Sequence, residues 1–313
     1  MVNVEYYDYL KFIDDALELV KSVPRYFSKF SNKIYCNHQK LAIYVLMQKL
    51  KTTTRGIVSY LRSNSDARMH LGLNKVPVHT TIVRFAKKIK KIIHLVLGIK
   101  QATTVAVDAT GFELESKSYY YRNTSHYRAK YKRYMKLSIA VDTDKQLILS
   151  SKTRLSPRND TIDFKELLKE LKVNYVIADK GYDSKKNRRF VINKLKAIPI
   201  IPMRMHTNFY GYINHRRRID GSNYHQRSKV ESIFSSIKRK YGSTLRGKSF
   251  NTQHVETISK LIAHNVDRMQ HYILLLIRGL HHSLFNLNFS IKAKIIKINE
   301  LIIVFIIICL VIS

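Results

Sequence analysis

Residues 134–153, which read YMKLSIAVDTDKQLILSSKT, indicate two β-strands joined by a short turn. Apolar and β-branched residues dominate the runs 134–141 and 146–153, and the polar segment 142–145 separates them. Runs of this kind, bounded by Asp and other turn residues, are typical of a β-hairpin. The hairpin therefore marks where the chain has changed from helical patterns to a sheet.

Further strands and helices are predicted on both sides of this hairpin. In chain order they are a strand at 103–107, the hairpin, a helix at 162–171, a strand at 173–178, a helix at 184–194, a strand at 197–201, a helix at 228–241 and long helical patterns over 253–286. Three consecutive strands followed by alternating helices and strands predict an α/β fold with a mixed sheet and flanking helices.

The residues before the sheet carry helical patterns, and we predict an all-α DNA-binding region over residues 1–100. Helices are expected at 38–50, 52–61, 66–71 and 80–97, the third of them capped by Ser65. The last three fit a helix-turn-helix module within residues 52–97, in which Arg84 and Lys87 would contact DNA. The alternative is a plain helical bundle with a solvated basic face.

The charge balance of the chain indicates a polyanionic partner. Lys and Arg number 56, Asp and Glu number 22, and the formal net charge of the 313 residues is +34. A folded chain this basic repels itself unless it meets a polyanion, and nucleic acid is the usual one because bound phosphates release counterions. An anionic membrane surface is the competing explanation, and we expect nucleic acid.

The cysteines and the two ends of the sequence indicate the cellular compartment in which the protein is expected. Cys36 and Cys309 are far apart and match neither a disulfide framework nor a zinc pattern, and no apolar run opens the chain. We therefore expect a cytoplasmic, nucleoid-associated protein. Residues 287–313 form an apolar C-terminal extension whose uninterrupted apolar run, 301–312, would span about 18 Å as a helix, short of the roughly 30 Å of a bilayer core, so a membrane partner is not expected.

Two aspartates follow predicted strands directly. Asp108 comes after TTVAV at 103–107, and Asp179 comes after VNYVIA at 173–178. Side chains at the carboxyl ends of strands point into the crevice where open α/β sheets bind ligands, and carboxylate oxygens suit hard cations such as Mg²⁺. The alternative is that both are ordinary turn residues.

A third carboxylate lies on the predicted helix at 228–241. At 100° per residue, Tyr224, Arg227, Glu231 and Lys238 fall in one narrow stripe beside the apolar face, whereas Lys229, Ser232, Ser236, Arg239 and Lys240 fall on the solvent face. Such a stripe can line a cleft. Alternatively, Arg227 and Glu231 form a routine i,i+4 ion pair.

Carboxylates of this kind, holding two metal ions, form a known device for phosphoryl transfer. In it one metal ion activates the attacking oxygen and the other stabilises the leaving oxygen. Arg227, Lys238 and the Tyr224 hydroxyl would then hold DNA phosphates.

Three motifs in this order resemble those of the DDE transposases of bacterial and archaeal insertion sequences. The stretch YHQRSKVESIFSSIK at 224–238 reads Y-x2-R-x3-E-x6-K without a gap, ADKGY at 178–182 is similar to the second-Asp motif, and VDATG at 107–111 is similar to the first. The resemblance covers about 104–275 and implies a ribonuclease-H-like catalytic domain, which we place at 101–286.

The resemblance implies a chemistry and its partners. Asp108, Asp179 and Glu231 would be catalytic and would bind two Mg²⁺ or Mn²⁺ ions, and Tyr224, Arg227 and Lys238 would contact terminal phosphates. The enzyme would nick DNA at the terminal inverted repeats of the element and join the freed 3′-OH to target DNA. A homodimer would bring two ends together, and no small-molecule substrate is expected.

The chain departs from some relatives in having no Trp to stack a flipped base, for which Tyr182 or Phe209 would have to substitute. Alternative functions are an inactive DNA-binding remnant and another metal-dependent DNA nuclease. The acids that compete for catalytic roles are Glu113, Asp142, Asp144, Asp160 and Asp183.

Overall fold

The computed structural model describes residues 9–115, 134–155, 159, 161–203 and 223–285. The predicted extension at 287–313, with its apolar run, lies outside these residues, as do Phe209 and Asp160. No helix in the described ranges combines the length and the apolar character needed to cross a bilayer.

Helices precede the sheet, as predicted. They are α1 (Tyr9–Leu19), α2 (Asn37–Lys49), α3 (Thr54–Ser63), α4 (Ser65–His70) and α5 (His79–Ile89), with 3₁₀ turns at Val20–Ser22 and Ile93–Leu97. Helix α5 buries Ile82, Phe85, Ala86 and Ile89, the spacing that places apolar residues on one face of a helix. Arg84 and Lys87 are exposed on the same helix.

Two details of this region differ from the sequence prediction. The single helix expected at 80–97 is wrong: α5 ends at Ile89, and bonds from Ile92 to Ile89 and from Leu95 to Ile92 form a tighter turn. β-Branched side chains at 89, 92 and 93 lower helix propensity there. The cap of α4 is Asn64 rather than Ser65, because the Asn64 side chain accepts a bond of 2.8 Å from the Ala67 amide.

A mixed sheet with helices on both faces follows. Its strands are β1 (Gln101–Leu114), β2 (Tyr134–Asp142), β3 (Ile148–Arg154), β4 (Lys172–Ala178), β5 (Ile198–Ile200) and β6 (Thr244–Leu245). Its helices are α6 (Thr161–Leu168), α7 (Lys185–Asn193), α8 (Ser228–Tyr241) and α9 (Phe250–Phe285), with 3₁₀ turns at Lys180–Tyr182 and Asn223–Arg227.

The strand order is β3-β2-β1-β4-β5. Strands β1, β2 and β3 pair antiparallel, β4 and β5 run parallel to β1, and β6 pairs with the last residues of β1. The predicted α/β fold, a ribonuclease-H-like mixed sheet with flanking helices after an all-α region, is confirmed.

Strand β1 is longer than predicted, which corrects the position of Asp108. The strand continues to Leu114 because residues up to Glu113 pair with β2. Asp108 therefore lies in the middle of β1 and not at its end, and residues 109–111 form no turn. Strand β4, the parallel partner of β1, does end beside Asp108, because the last β1–β4 pair is Val107 with Ala178.

The two faces of the sheet have separate apolar cores. Helices α6 and α7 pack on the face that carries Val105 and Val107, and α8 and α9 pack on the face that carries Ala106 and Ile177. The second core continues into α1 to α5 without interruption. The boundary that we placed between 1–100 and 101–286 stays a prediction.

Candidate active site

Asp108 and Asp179 are neighbours across two parallel strands. Val107 and Ala178 lie opposite each other, so Asp108 and Asp179 are the next residues in register. Alternation along β1 and β4 directs both toward the face that carries Ala106 and Ile177, against which α8 packs. The end of β4 thus brings together two acids that are 71 positions apart in the chain.

Backbone amides anchor one oxygen of each of these carboxylates. Oδ1 of Asp108 accepts from the Ala109 amide at 2.8 Å, and Oδ1 of Asp179 accepts from the Lys180 amide at 2.7 Å. Burial raises the pKa of Asp108, and the charges of Asp179 and Glu231 raise it further, against the opposing effects of the Ala109 amide and Arg227. Each acid therefore lies within electrostatic range of Asp108.

Arg227 bridges the sheet and the first turn of α8. Its Nη2 lies 2.6 Å from Oε1 of Glu231, and its Nη1 lies 3.5 Å from Oδ2 of Asp108. The i,i+4 pair that was the alternative interpretation of the sequence is present, and the same guanidinium also reaches the sheet. Helix α8 therefore brings Glu231 to the edge of the Asp108–Asp179 pair.

The electrostatics of Arg227 show how closely these groups surround it. Burial alone would lower the pKa of Arg227, but the charges of Glu231, Tyr224, Asp108 and Asp179 together raise it. All three carboxylates and the Tyr224 hydroxyl thus act on one guanidinium.

Tyr224 lies on the 3₁₀ turn that precedes α8, and not on the helix itself. Burial raises the pKa of its hydroxyl, and the charges of Asp179 and Asp108 add to this rise. The Arg227 charge and a hydrogen bond with the Arg227 side chain oppose it. The short turn therefore turns Tyr224 toward the same acids as Arg227.

Lys238 lies farther along α8 and contacts β1 beyond Asp108. Its Nζ donates a hydrogen bond of 2.7 Å to Thr110 Oγ1 and lies 5.7 Å from the centre of the Phe112 ring. Glu231 and Lys238 thus lie on α8, and Tyr224 and Arg227 lie on the 3₁₀ turn that leads into it. Thr110 was not singled out from the sequence.

Two residues predicted on the solvent face of α8 have partners. Lys229 donates to the Thr143 carbonyl at 2.9 Å, and Lys240 lies 3.5 Å from Asp267. Their long side chains reach neighbouring elements that helical angles alone do not reveal.

Two buried charges on α9, which the sequence analysis also missed, hold the segment after α8. The Glu256 carboxylate accepts from the amides of Arg246 and Gly247, and the Lys260 ammonium donates to the carbonyls of Gly242 and Thr244. Burial raises the pKa of Glu256 and lowers that of Lys260 to about 8.

The other acids that the sequence offered as catalytic candidates either pair with nearby groups or lie at the ends of strands and in turns. Asp142 accepts from the amides of Asp144 and Lys145 in the β2–β3 turn, and Asp183 pairs with Arg188 at 2.8 Å. Asp144 is exposed in that turn, and Glu113 lies near the end of β1. Arg84 and Lys87 contact none of the three carboxylates of the site and face solvent on α5.

The donor chemistry of the site fits a hard divalent cation, because all three acids offer carboxylate oxygen. In the described ranges, however, no three His, Cys, Asp or Glu side chains are close enough together to hold a metal ion. The guanidinium of Arg227 lies between Asp108 and Glu231 and supplies the positive charge there.

Comparison with known proteins gives a match to a family model and a similarity to solved structures. A family model described as the transposase DDE domain matches residues 99–266, which is more than half of the 313 residues and includes all three carboxylates. No curated protein matches the chain. Among solved structures, a cryo-EM structure of the piggyBac transposase synaptic complex with hairpin DNA is similar at a TM-score of 0.43 and 9% identity, over 84% of this chain and 72% of that chain.

Proposed function

Because the chain belongs to the family of proteins with a transposase DDE domain, we propose that it cuts DNA at the ends of a mobile element and joins the freed 3′-OH to target DNA. The observation that carries the proposal is the convergence of Asp108, Asp179 and Glu231 around the Arg227 guanidinium. These acids come from two strands and a helix, and the resemblance in the sequence selected the same three.

Asp108, Asp179 and Glu231 would hold two Mg²⁺ or Mn²⁺ ions. Bound there, such ions activate an attacking oxygen and stabilise a leaving one. The backbone amides that anchor Asp108 and Asp179 fix the direction of both carboxylates before any ligand arrives. Fixed ligands lower the ordering cost of binding.

Arg227 would exchange partners when DNA binds. A phosphate offers the guanidinium the same bidentate geometry as a carboxylate, so a DNA phosphate can draw Arg227 away from Asp108 and Glu231. Tyr224 and Lys238 lie on the same side of α8 and would hold neighbouring phosphates. The exposed Arg84 and Lys87 on α5 would contact DNA from the predicted helix-turn-helix module.

The substrates of this reaction are the terminal inverted repeats of an element and a target duplex: water attacks the phosphodiester at the end and frees the 3′-OH, and no other small molecule takes part. Two ends are joined in one event, so a homodimer would carry one site for each end. The net charge of +34 suits such a complex with several DNA segments. The protein would act on nucleoid DNA in the cytoplasm.

Cleavage and joining of element-end DNA by the full chain test this proposal. In Mg²⁺, the wild type should nick the end and transfer the 3′-OH, and Asp179→Asn and Asp108→Asn should lose both activities by roughly a thousandfold or more. Asp144→Asn, an exposed acid in the β2–β3 turn, is the matched control and should behave as the wild type.

Other outcomes identify the alternatives. DNA binding without cleavage in any variant would identify an inactive remnant. Cleavage without joining would identify a nuclease of another kind. Equal activity in the wild type and both Asp→Asn variants would refute the assignment of the site.

A further inference from the structure

Helices α6 and α7 enclose a groove with an unusual charge. The cavity between them measures about 870 Å³. Six cationic side chains line it, namely Lys165, Lys169, Lys185, Lys186, Arg189 and Lys194, and none of its lining residues is acidic. We call this surface the α6–α7 groove.

Salt bridges do not neutralise the groove within the described part of the chain. Among the described residues, none of the six cations has an ion-pair partner. The neighbouring acid on α6, Glu166, pairs with Lys152 at 2.5 Å, and the hydrogen bond to Lys152 is the main reason that its pKa is lowered. The groove is thus a concentration of positive charge without ion pairs among the described residues.

The first turn of α7 makes this charge costly. Lys185 and Lys186 are its first two residues, immediately after the Ser184 cap, whose side chain accepts from the Asn187 amide. The start of a helix favours negative charge, so a cation there costs about 0.3–1 kcal/mol. Cations at these two positions go against the helix dipole, and such exceptions to a local rule are expected at functional surfaces.

The floor of the groove is apolar and fixed. The ammonium of Lys165 lies 5.5 Å from the centre of the half-buried Phe190 ring, so one cation is oriented from α6 onto α7. Lys185, Lys186 and Arg189 of α7 are exposed around it. A concave surface with a defined shape and a rim of cations is suited to a regular polyanion rather than to isolated small anions.

The groove lies on the opposite face of the sheet from α8. Helices α6 and α7 pack in the core that contains Val107 and Ala178, whereas α8 packs in the other core. Yet α7 starts only six residues after Asp179, through the 3₁₀ turn at Lys180–Tyr182. Only the start of α7 is therefore close in the chain to Asp179, and the groove is separate from the surface that carries Tyr224, Arg227 and Lys238.

We infer that the α6–α7 groove binds the phosphate backbone of a second duplex DNA segment, independently of sequence and in addition to the segment held by α8. The inference rests on the proposed function in taking DNA as the polyanion. Each phosphate contact releases counterions, so each lowers the slope of log K against log salt by about 0.9.

Salt-dependent binding of a short random duplex to the full chain tests the groove. The variant Lys185→Gln/Lys186→Gln/Arg189→Gln should bind with a slope shallower by roughly two to three than the wild type, and more than tenfold more weakly at moderate salt. The matched control is Lys172→Gln/Arg239→Gln/Lys248→Gln, which removes the same charge from exposed sites outside the predicted DNA-binding region and should change the slope far less.

Thermal unfolding separates a binding role from a structural one. Because Lys185 and Lys186 oppose the dipole of α7, the groove variant should unfold at the same temperature as the wild type or higher. Equal slopes and affinities for the groove variant and its control would overturn the inference. The inference would also fall if the groove variant bound duplex DNA like the wild type but lost binding to phosphatidylserine vesicles or to single-stranded RNA.

The cleavage assay keeps the two proposals distinguishable. Suppose that Asp179→Asn shows the wild-type dependence of duplex affinity on salt, and that adding the groove substitutions to it makes this dependence shallower. The groove inference then holds even if no variant cleaves DNA. If the wild type cleaves and joins DNA while the groove variant binds random duplex like the wild type, the groove inference falls and the proposed function stands.

Discussion

The ammonium of Lys238 donates a hydrogen bond of 2.7 Å to the hydroxyl of Thr110, which links α8 to the strand that carries Asp108. In the proposed function the ammonium serves DNA phosphate, and the hydroxyl only orients it. Lys238→Met should then lower the cleavage of element-end DNA by roughly 10- to 100-fold, the value of one charge-assisted hydrogen bond.

The control variants for Lys238 remove either the partner or the charge. Thr110→Val removes the hydroxyl and should change the cleavage rate by less than about threefold, because it leaves the ammonium free for phosphate. Arg239→Met removes an exposed cation one residue farther along α8 and should match the wild type. Equal rates for Lys238→Met and Arg239→Met would contradict the role given to Lys238.

Arg227 and a divalent cation should compete for the same carboxylates. Because Arg227 pairs with Glu231 at 2.6 Å and with Asp108 at 3.5 Å, the variant Arg227→Gln frees both for a metal ion. A ligand that binds the folded state raises the unfolding temperature. We expect Mn²⁺ to raise the unfolding temperature of Arg227→Gln more than that of the wild type.

Two further variants control the metal measurement. Arg239→Gln lowers the net charge equally and should show the wild-type response to Mn²⁺. Adding Asp108→Asn to Arg227→Gln should abolish the enhanced response, since one ligand is then lost. A response of Arg227→Gln no larger than that of the wild type would show that the guanidinium does not compete with the metal.

Elements with a strong local pattern could be predicted from the sequence. Helix α8 has the predicted bounds because Val230, Ile233, Phe234, Ile237 and Tyr241 repeat at helical spacing and are all buried. The same periodicity placed Arg227 and Glu231 on one stripe, and the structure brings both to the sheet edge.

Features that depend on contacts between residues far apart in the chain could not be predicted from local sequence patterns. Strand β1 runs seven residues past its predicted end because β2 supplies backbone partners, and no local signal encodes that pairing. The hydrogen bond from Lys238 to Thr110 joins residues 128 apart in the chain. Asn64 caps α4 in place of Ser65 because both residue types favour that position, and one-residue shifts at helix ends are within the ambiguity of such signals.

Asp267 on α9 ties the N-terminal helices to α8 through buried charge. Its carboxylate lies 2.6 Å from the Lys49 ammonium of α2 and accepts from the Tyr241 hydroxyl of α8 at 2.6 Å. The Lys49 and Asp267 side chains are only 9% and 8% exposed. Asp267→Asn leaves the ammonium without its counter-charge and should lower the free energy of unfolding by about 3 kcal/mol or more.

A double-mutant cycle measures the coupling between these charges. Lys49→Met/Asp267→Asn should cost less than the two single variants added together, because neither charge then remains unpaired. Glu18→Gln, in the exposed Lys21–Glu18 pair, should change the free energy of unfolding by less than about 1 kcal/mol. Additive single effects would show that the Lys49–Asp267 contact does not couple α2 to α9.

His264 should make the stability of the fold depend on pH below neutrality. It is 2% exposed on α9 and its Nε2 donates to the Gln146 carbonyl at 3.2 Å. Burial lowers its pKa from 6.5 to about 4, with further lowering by Arg268 and Lys240. Between these values the unfolded chain binds a proton that the folded chain does not, so the free energy of unfolding falls as the pH falls from 6.5 to about 4.

Chemical unfolding at pH 7 and pH 5 measures this effect. The full pKa difference corresponds to roughly 3 kcal/mol, of which part is lost by pH 5. His264→Gln keeps a donor for the Gln146 carbonyl but cannot titrate, so its stability should fall less between the two pH values.

His254, whose pKa burial also lowers to about 4, contributes in the same direction and remains in that variant. His271→Gln, at an exposed position of the same helix, should keep the wild-type dependence. A His264→Gln variant that loses as much stability as the wild type at pH 5 would mean that the buried imidazole is not the group that titrates.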